Sequence, residues 1–92
     1  MGDDDELGRF RGDALRLTGA RDLTDLGLHP AVLRLEPDLA AVLRLRLGLD
    51  RAPARPRTRP EVAEALGLGG ARVEEMVAAL EADVLVDLRP RP

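Results

Sequence analysis

The stretch TRPEVAEALGLGGARVEEMVAALEA, residues 58–82, contains a helix start, a glycine-rich turn and a second helical pattern. Thr58 and Glu61 flank Pro60 in the spacing of a capping box. In this arrangement the threonine hydroxyl accepts from the amide of Glu61, and the glutamate carboxylate accepts from the amide of Thr58. Gly67 suits the left-handed conformation that ends a helix. Two short helices joined through glycine predict a helix-turn-helix.

Apolar residues recur at helical spacing on both sides of this turn. They are Val62, Ala63, Leu66 and Leu68 in the first part, and Val73, Met76 or Val77, and Leu80 in the second. The second helix therefore turns one face to the core and leaves Arg72, Glu75 and Ala79 toward solvent, with Glu74 at the border. Beyond it, VLVDLR, residues 84–89, alternates apolar and polar residues and predicts a short strand that ends at Pro90.

The segment before the motif predicts another helix and a basic loop. In PDLAAVLRLRLGLD, residues 37–50, Leu39, Leu43 and Leu47 stand four apart, and Gly48 ends the pattern. The alternation in LRLRLGL also fits a half-buried strand, but the Pro-Asp start and the paired alanines favour a helix. The following DRAPARPRTRP is rich in proline and arginine, which predicts an extended basic loop.

The N-terminal 38 residues predict further helices. The acidic run Asp3 to Glu6 precedes apolar residues at helical spacing, where negative charge favours a helix N-terminus. Gly19 suits the end of this helix, and Pro30 the start of a short helical piece. We therefore expect a mostly α-helical small bundle that contains a helix-turn-helix, with a short C-terminal wing strand. Its parts are an N-terminal helical segment, 1–38, and a helix-turn-helix module, 39–92.

The composition argues against catalysis and against metal or cofactor sites. The chain has 92 residues, no cysteine and one histidine, so it lacks a thiolate zinc site and a histidine-built metal site. No nucleophile, base or metal constellation occurs at usable spacing. We expect a protein that is not an enzyme and that has no catalytic residue, metal, cofactor or small-molecule substrate.

The N-terminus MGDDDELG is acidic rather than basic followed by apolar, which is not the pattern of a signal peptide. No apolar run approaches the length needed to span a membrane. We therefore expect a cytoplasmic protein without a membrane partner.

Residues 39–82 resemble a known family. VLRLRLGLD, the Arg-Pro loop, RTRPEVAEALGL and ARVEEM follow one another in the order and spacing of the fourth conserved region of bacterial primary-type sigma factors. The resemblance implies a transcription role in which the second helix recognises a promoter element. The chain also resembles the winged-helix module of small transcriptional regulators, with RVEEMVAALEADVLVDLRP as recognition helix, turn and first wing strand. Residues 42–60 favour the sigma form, whereas residues 84–89 favour the winged form.

Charge decides what the predicted motif can bind. The net charge is −3, and residues 39–92 have nine arginines against eight acids. Phosphate contacts depend on such basic groups, so the candidate nucleic-acid-binding residues are Arg55, Arg57, Thr58, Arg59 and Arg72. Residues 71–83, however, hold one arginine and four acids. Family members place donor side chains at the start of this helix, where this chain has Gly69, Gly70 and Ala71.

Two hypotheses follow. In the first, the chain is a transcription-associated helix-turn-helix module that binds duplex DNA weakly or associates with RNA polymerase. In the second, it is a protein-interaction module on a degenerate winged-helix scaffold. Its acidic helix then binds a protein partner through Glu74 and Glu75, and a homodimer is one form of such a complex.

Overall fold

The computed structural model describes residues 2–90, with side chains from Glu6 to Pro90. Six helices are α1 (Gly2–Thr18), α2 (Leu23–Leu28), α3 (Pro30–Leu33), α4 (Pro37–Leu47), α5 (Arg59–Ala65) and α6 (Val73–Leu88). They form a small bundle without a strand in this part of the chain, which confirms the predicted mostly α-helical class. α5, the turn after it and α6 form the helix-turn-helix.

Local sequence signals set several helix ends. Thr58 caps α5, where the Thr58 amide donates to Glu61 Oε1 over 3.0 Å and the Glu61 amide donates to Thr58 Oγ1 over 3.3 Å. The predicted capping box is therefore confirmed. Gly48 ends α4 with a φ of 73°, and Gly67 follows α5 with the same φ. Glycine has no Cβ to resist this left-handed conformation.

The strand expected at residues 84–89 is not observed, because α6 continues to Leu88. Val84 and Leu88 stand four apart on the buried face of the helix, and Val77 lies on the same face. Val86 points outward and is 57% exposed. An isolated strand would leave backbone groups unpaired, whereas the helix pairs them internally. The C-terminal feature that favoured the winged form is thus helical.

Two apolar clusters make up the core. The larger one draws on α1, α2, α3, α4, α6 and the α3–α4 link, and comprises Phe10, Ala14, Leu26, Val32, Leu35, Leu39, Leu43, Leu47, Val84 and Leu88. The smaller one comprises Val42, Val62, Ala63 and Val77. Leu80 packs against both clusters. Because α1 packs directly on α6, the N-terminal segment and the helix-turn-helix share a core.

Candidate functional site

A buried carboxylate lies at the centre of the helix-turn-helix. Glu81 of α6 is 4% exposed and binds two guanidinium groups. Arg46 of α4, which is 2% exposed, donates its Nε to Glu81 Oε1. Arg59, the first residue of α5, donates Nε and Nη2 to Glu81 Oε2 over 3.2 and 2.8 Å. One carboxylate therefore joins three helices.

Arg46 also fixes the basic loop between α4 and α5. Its Nη1 donates to the carbonyl oxygen of Arg57 over 2.7 Å, and the amide of Arg57 donates back to the carbonyl of Arg46 over 3.3 Å. At the start of the loop, a Cβ on Gly48 would clash with the backbone of Arg55. The loop backbone is therefore pressed against the end of α4.

Arg57, a predicted nucleic-acid-binding residue, pairs with a carboxylate of its own loop. Its Nη1 and Nη2 donate to Asp50 Oδ1 and Oδ2 over 2.7 and 3.0 Å, a two-point pair that suits the planar guanidinium. This hydrogen bonding lowers the pKa of Asp50 below its usual range and raises the pKa of Arg57. Only 14% of the Arg57 side chain is exposed.

Arg59 is likewise occupied within the protein. Besides Glu81, it contacts Glu6 of α1, with Nη1 3.1 Å from Glu6 Oε2. Burial alone would lower the pKa of Arg59, but the hydrogen bonds and charge of Glu81, helped by Glu6 and Glu74, outweigh it and raise the pKa. Arg59 thus ties α1 to the helix-turn-helix.

Thr58 uses its hydroxyl in the capping box. The backbone and hydroxyl hydrogen bonds from Thr58 lower the pKa of Glu61 below its usual range. Three of the five residues predicted to contact nucleic acid, Arg57, Thr58 and Arg59, therefore make contacts inside the protein.

The other two predicted residues, Arg55 and Arg72, are exposed at the protein surface. The Arg72 side chain is 82% exposed, and its Nε lies 3.9 Å from Glu75 Oε2, which makes a loose pair. The two arginines lie on either side of α5 in the sequence.

The predicted partner-binding residues Glu74 and Glu75 are both exposed but point in different directions. Successive residues of a helix lie about 100° apart around its axis. Glu74 adds to the negative charge around Arg59, whereas Glu75 pairs with Arg72. The two carboxylates therefore lie about 100° apart on the exposed side of α6.

An apolar groove lies beside Glu75, between α6, the end of α5 and the start of α4. It has a volume of about 420 Å³ and is lined by Asp38, Leu66, Leu68, Met76, Ala79 and Leu80. Met76 is 40% exposed, while its neighbour Val77 is fully buried. The sequence contained one indication that an apolar side chain would be exposed here. Met76 and Val77 are both apolar, but they are too far apart around the helix to belong to one narrow buried stripe.

Comparison with models of protein families, with curated proteins and with solved structures finds no match to the chain. The helices among the described residues are too short or too polar to cross a membrane. Within the same residues, carboxylate and imidazole groups do not gather in threes as metal ligands would.

Proposed function

We propose that the chain is a protein-interaction module in which a helix-turn-helix scaffold presents the outer face of α6 to a protein partner. This face consists of the exposed residues of the helix, Glu74, Glu75, Met76, Ala79, Ala82, Asp83, Val86 and Asp87. One observation carries the proposal: Asp50 and Glu81 bind the guanidinium groups of Arg57 and Arg59, and the outer face of α6 is left acidic and apolar.

Electrostatics favours a protein partner over nucleic acid. α6 contains five acidic residues and no basic one. Its exposed carboxylates, Glu74, Glu75, Asp83 and Asp87, would be repelled by phosphates along a groove of DNA. Recruiting Arg59 to a phosphate would leave the buried charge of Glu81 with less compensation, which is costly in a protein interior.

From the resemblance to the sigma region we further propose that this module acts in the bacterial cytoplasm, in association with the transcription machinery. RNA polymerase is a suitable partner, because α6 can bind it without any contact to DNA. A second candidate function is weak binding of duplex DNA. The exposure of Arg55 and Arg72 supports it, because both guanidinium groups can reach phosphates without breaking a buried pair.

Co-purification from the native cell tests the main proposal. We expect a protein partner to be recovered with the unmodified chain and at least fivefold less of it with Glu74→Arg, Glu75→Arg. The control is Glu36→Arg, Glu64→Arg, which changes the charge equally at exposed residues outside α6. Equal recovery with both variants would contradict the proposal.

Fluorescence anisotropy with labelled duplex DNA separates the second candidate. Contacts between basic residues and phosphates are strongest at low salt, so about 50 mM salt gives DNA binding its best chance. We nevertheless expect no saturable binding there, because the carboxylates of α6 repel the phosphates. Binding that weakens toward about 200 mM salt and is lost in Arg55→Ala, Arg72→Ala would instead favour the DNA-binding function.

A further inference from the structure

We infer that the apolar groove beside α6 receives a basic amphipathic helix of a partner protein. The inference rests on the proposed function and specifies its site and the chemistry of its partner. The groove is the one lined by Leu66, Leu68, Met76, Ala79 and Leu80, with Asp38 at its edge.

The lining distinguishes this groove from the other clefts. Five of its six lining residues are apolar, whereas three other clefts each contain two or more charged side chains. The cleft between α1 and α6, for example, contains Arg59 and the two carboxylates that pair with it, Glu6 and Glu81. The free energy falls when apolar side chains leave water, so the apolar groove suits the apolar face of a partner.

Carboxylates border the groove and define the charge of its partner. Along α6, Glu75 lies four residues before Ala79 and Asp83 lies four residues after it, so both share the face of Ala79. Asp38 adds a third carboxylate at the start of α4. The basic Arg72 is only loosely paired with Glu75. A partner with lysine or arginine beside its apolar stripe would complement this rim.

The same charges argue against a second copy of the chain as occupant. A two-fold dimer through this groove brings the same patch of both copies together. Glu75 and Asp83 of one copy would then face those of the other, and like charges across an interface are unfavourable. A helix that carries basic residues avoids this repulsion.

A synthetic peptide provides the probe. The peptide has about 18 residues, which is long enough to form a helix. Leucines at positions i, i+3, i+4 and i+7, repeated along the peptide, form one apolar face, and lysines occupy the other positions. Two control peptides carry glutamate in place of every lysine, or the same composition in a scrambled order. With fluorescein-labelled peptides, we expect the basic amphipathic peptide to bind at least tenfold more tightly than either control. Equal binding of the scrambled or acidic peptide would overturn the inference.

Matched variants locate the binding surface. Glu75→Arg, Asp83→Arg reverses the rim, and we expect it to weaken peptide binding at least tenfold. The control Glu36→Arg, Glu64→Arg makes the same charge change at exposed residues outside α6, and we expect a change of less than twofold. Equal effects of both variants would show general charge attraction and would overturn the inference.

Amide chemical shifts and oligomeric state complete the test. Addition of the basic peptide should shift the amide signals of Leu66, Leu68, Met76 and Ala79, and Met76→Lys should abolish these shifts while the remaining spectrum stays folded. Light scattering should give a monomer. A dimer that Met76→Lys disperses, or shifts confined to other surfaces, would overturn the inference.

The outcomes separate the groove from the proposed function. If Glu74→Arg, Glu75→Arg loses the cellular partner but the peptide fails to bind, the groove inference fails and the protein-interaction function stands. If the peptide binds in the groove but partner recovery is unchanged in that variant, the proposed use of the outer face of α6 fails and the groove stands.

Discussion

The loop before α5 and the turn before α6 are both rich in residues that interrupt helices, yet they differ in how firmly they are held. In the loop, residues 48–58, Gly48 has the backbone of Arg55 against it, and Asp50 pairs with Arg57. In the turn, residues 66–72, a Cβ on Gly67 or Gly70 would meet no neighbouring atom. The glycine of the loop is thus enclosed by neighbouring backbone, whereas the glycines of the turn have open space around them.

The difference shows which charges stabilise the protein and which can meet a partner. On the loop side, three arginines are bound by carboxylates or by backbone, namely Arg46, Arg57 and Arg59, whereas Arg55 is exposed. The charged residues next to the turn, Arg72 and Glu75, have side chains that are 82% and 75% exposed. Removal of a bound charge should therefore affect folding, whereas removal of an exposed charge should affect binding.

The largest expected effect comes from Glu81→Gln. The substitution leaves Arg46 and Arg59 without their carboxylate in the interior, and breaking a buried ion pair costs about 3–5 kcal/mol. Urea unfolding followed by circular dichroism should show a loss of this size, and the exposed Glu75→Gln should change stability by less than about 0.5 kcal/mol. Similar stabilities of the two variants would show that the buried pair contributes little.

Gly48→Ala and Gly67→Ala compare the two segments directly. Both glycines have a φ of 73°, so each alanine bears the cost of a left-handed residue, about 1–2 kcal/mol. Only Gly48→Ala also forces a Cβ against the backbone of Arg55, so its loss of stability should exceed that of Gly67→Ala by about 1 kcal/mol or more. Thermal and urea unfolding measure the difference, and equal losses would mean that the loop moves aside at no cost.

Asp50→Asn should give a smaller, pH-dependent effect. The hydrogen bonds from Arg57 lower the pKa of Asp50 in the folded protein, so the ionised carboxylate contributes stability above the pKa of the unfolded chain. This contribution is lost as the pH falls through the folded pKa. The unmodified protein should therefore be more stable than Asp50→Asn at pH 7, and the gap should narrow below about pH 4. A gap that does not change with pH would contradict the assignment.

Arg72→Ala should have the smallest effect on stability. The side chain is almost fully solvated, and exposed pairs such as Arg72 with Glu75 contribute about 0–1 kcal/mol. Urea unfolding should give values within about 0.5 kcal/mol of the unmodified protein. A larger loss would show that the turn is held by contacts of Arg72 in the folded state.

Local features of the fold could be predicted from the sequence, because their causes lie within a few residues. The capping box needs only Thr58 and Glu61, and the left-handed ends need only Gly48 and Gly67. The helix-period stripe of Leu39, Leu43 and Leu47 is buried as its spacing indicated. The strand prediction at residues 84–89 was wrong. It relied on the alternation of apolar and polar residues, which would place Val84 and Val86 on one face, but Val84 and Leu88 are buried together on one face of a helix and Val86 is exposed.

The candidate site depends on contacts between distant residues, which local patterns do not reveal. Arg46 and Glu81 are 35 positions apart, and in the sequence each looks like a solvated charge. Arg57 and Arg59 look like Arg55, although only Arg55 lies exposed at the surface. Which arginines are available depends on the carboxylates that the fold brings to them.

The position of Leu80 and Glu81 has a consequence for how the domain opens. Leu80 touches both apolar clusters, and the next residue holds α4 and α5 through its carboxylate. The two apolar clusters therefore cannot separate from each other without exposing the turn of α6 that contains Leu80 and Glu81. Amide hydrogens around Leu80 should therefore exchange with solvent only through cooperative unfolding of the whole domain, while those of the open turn exchange through local fluctuations.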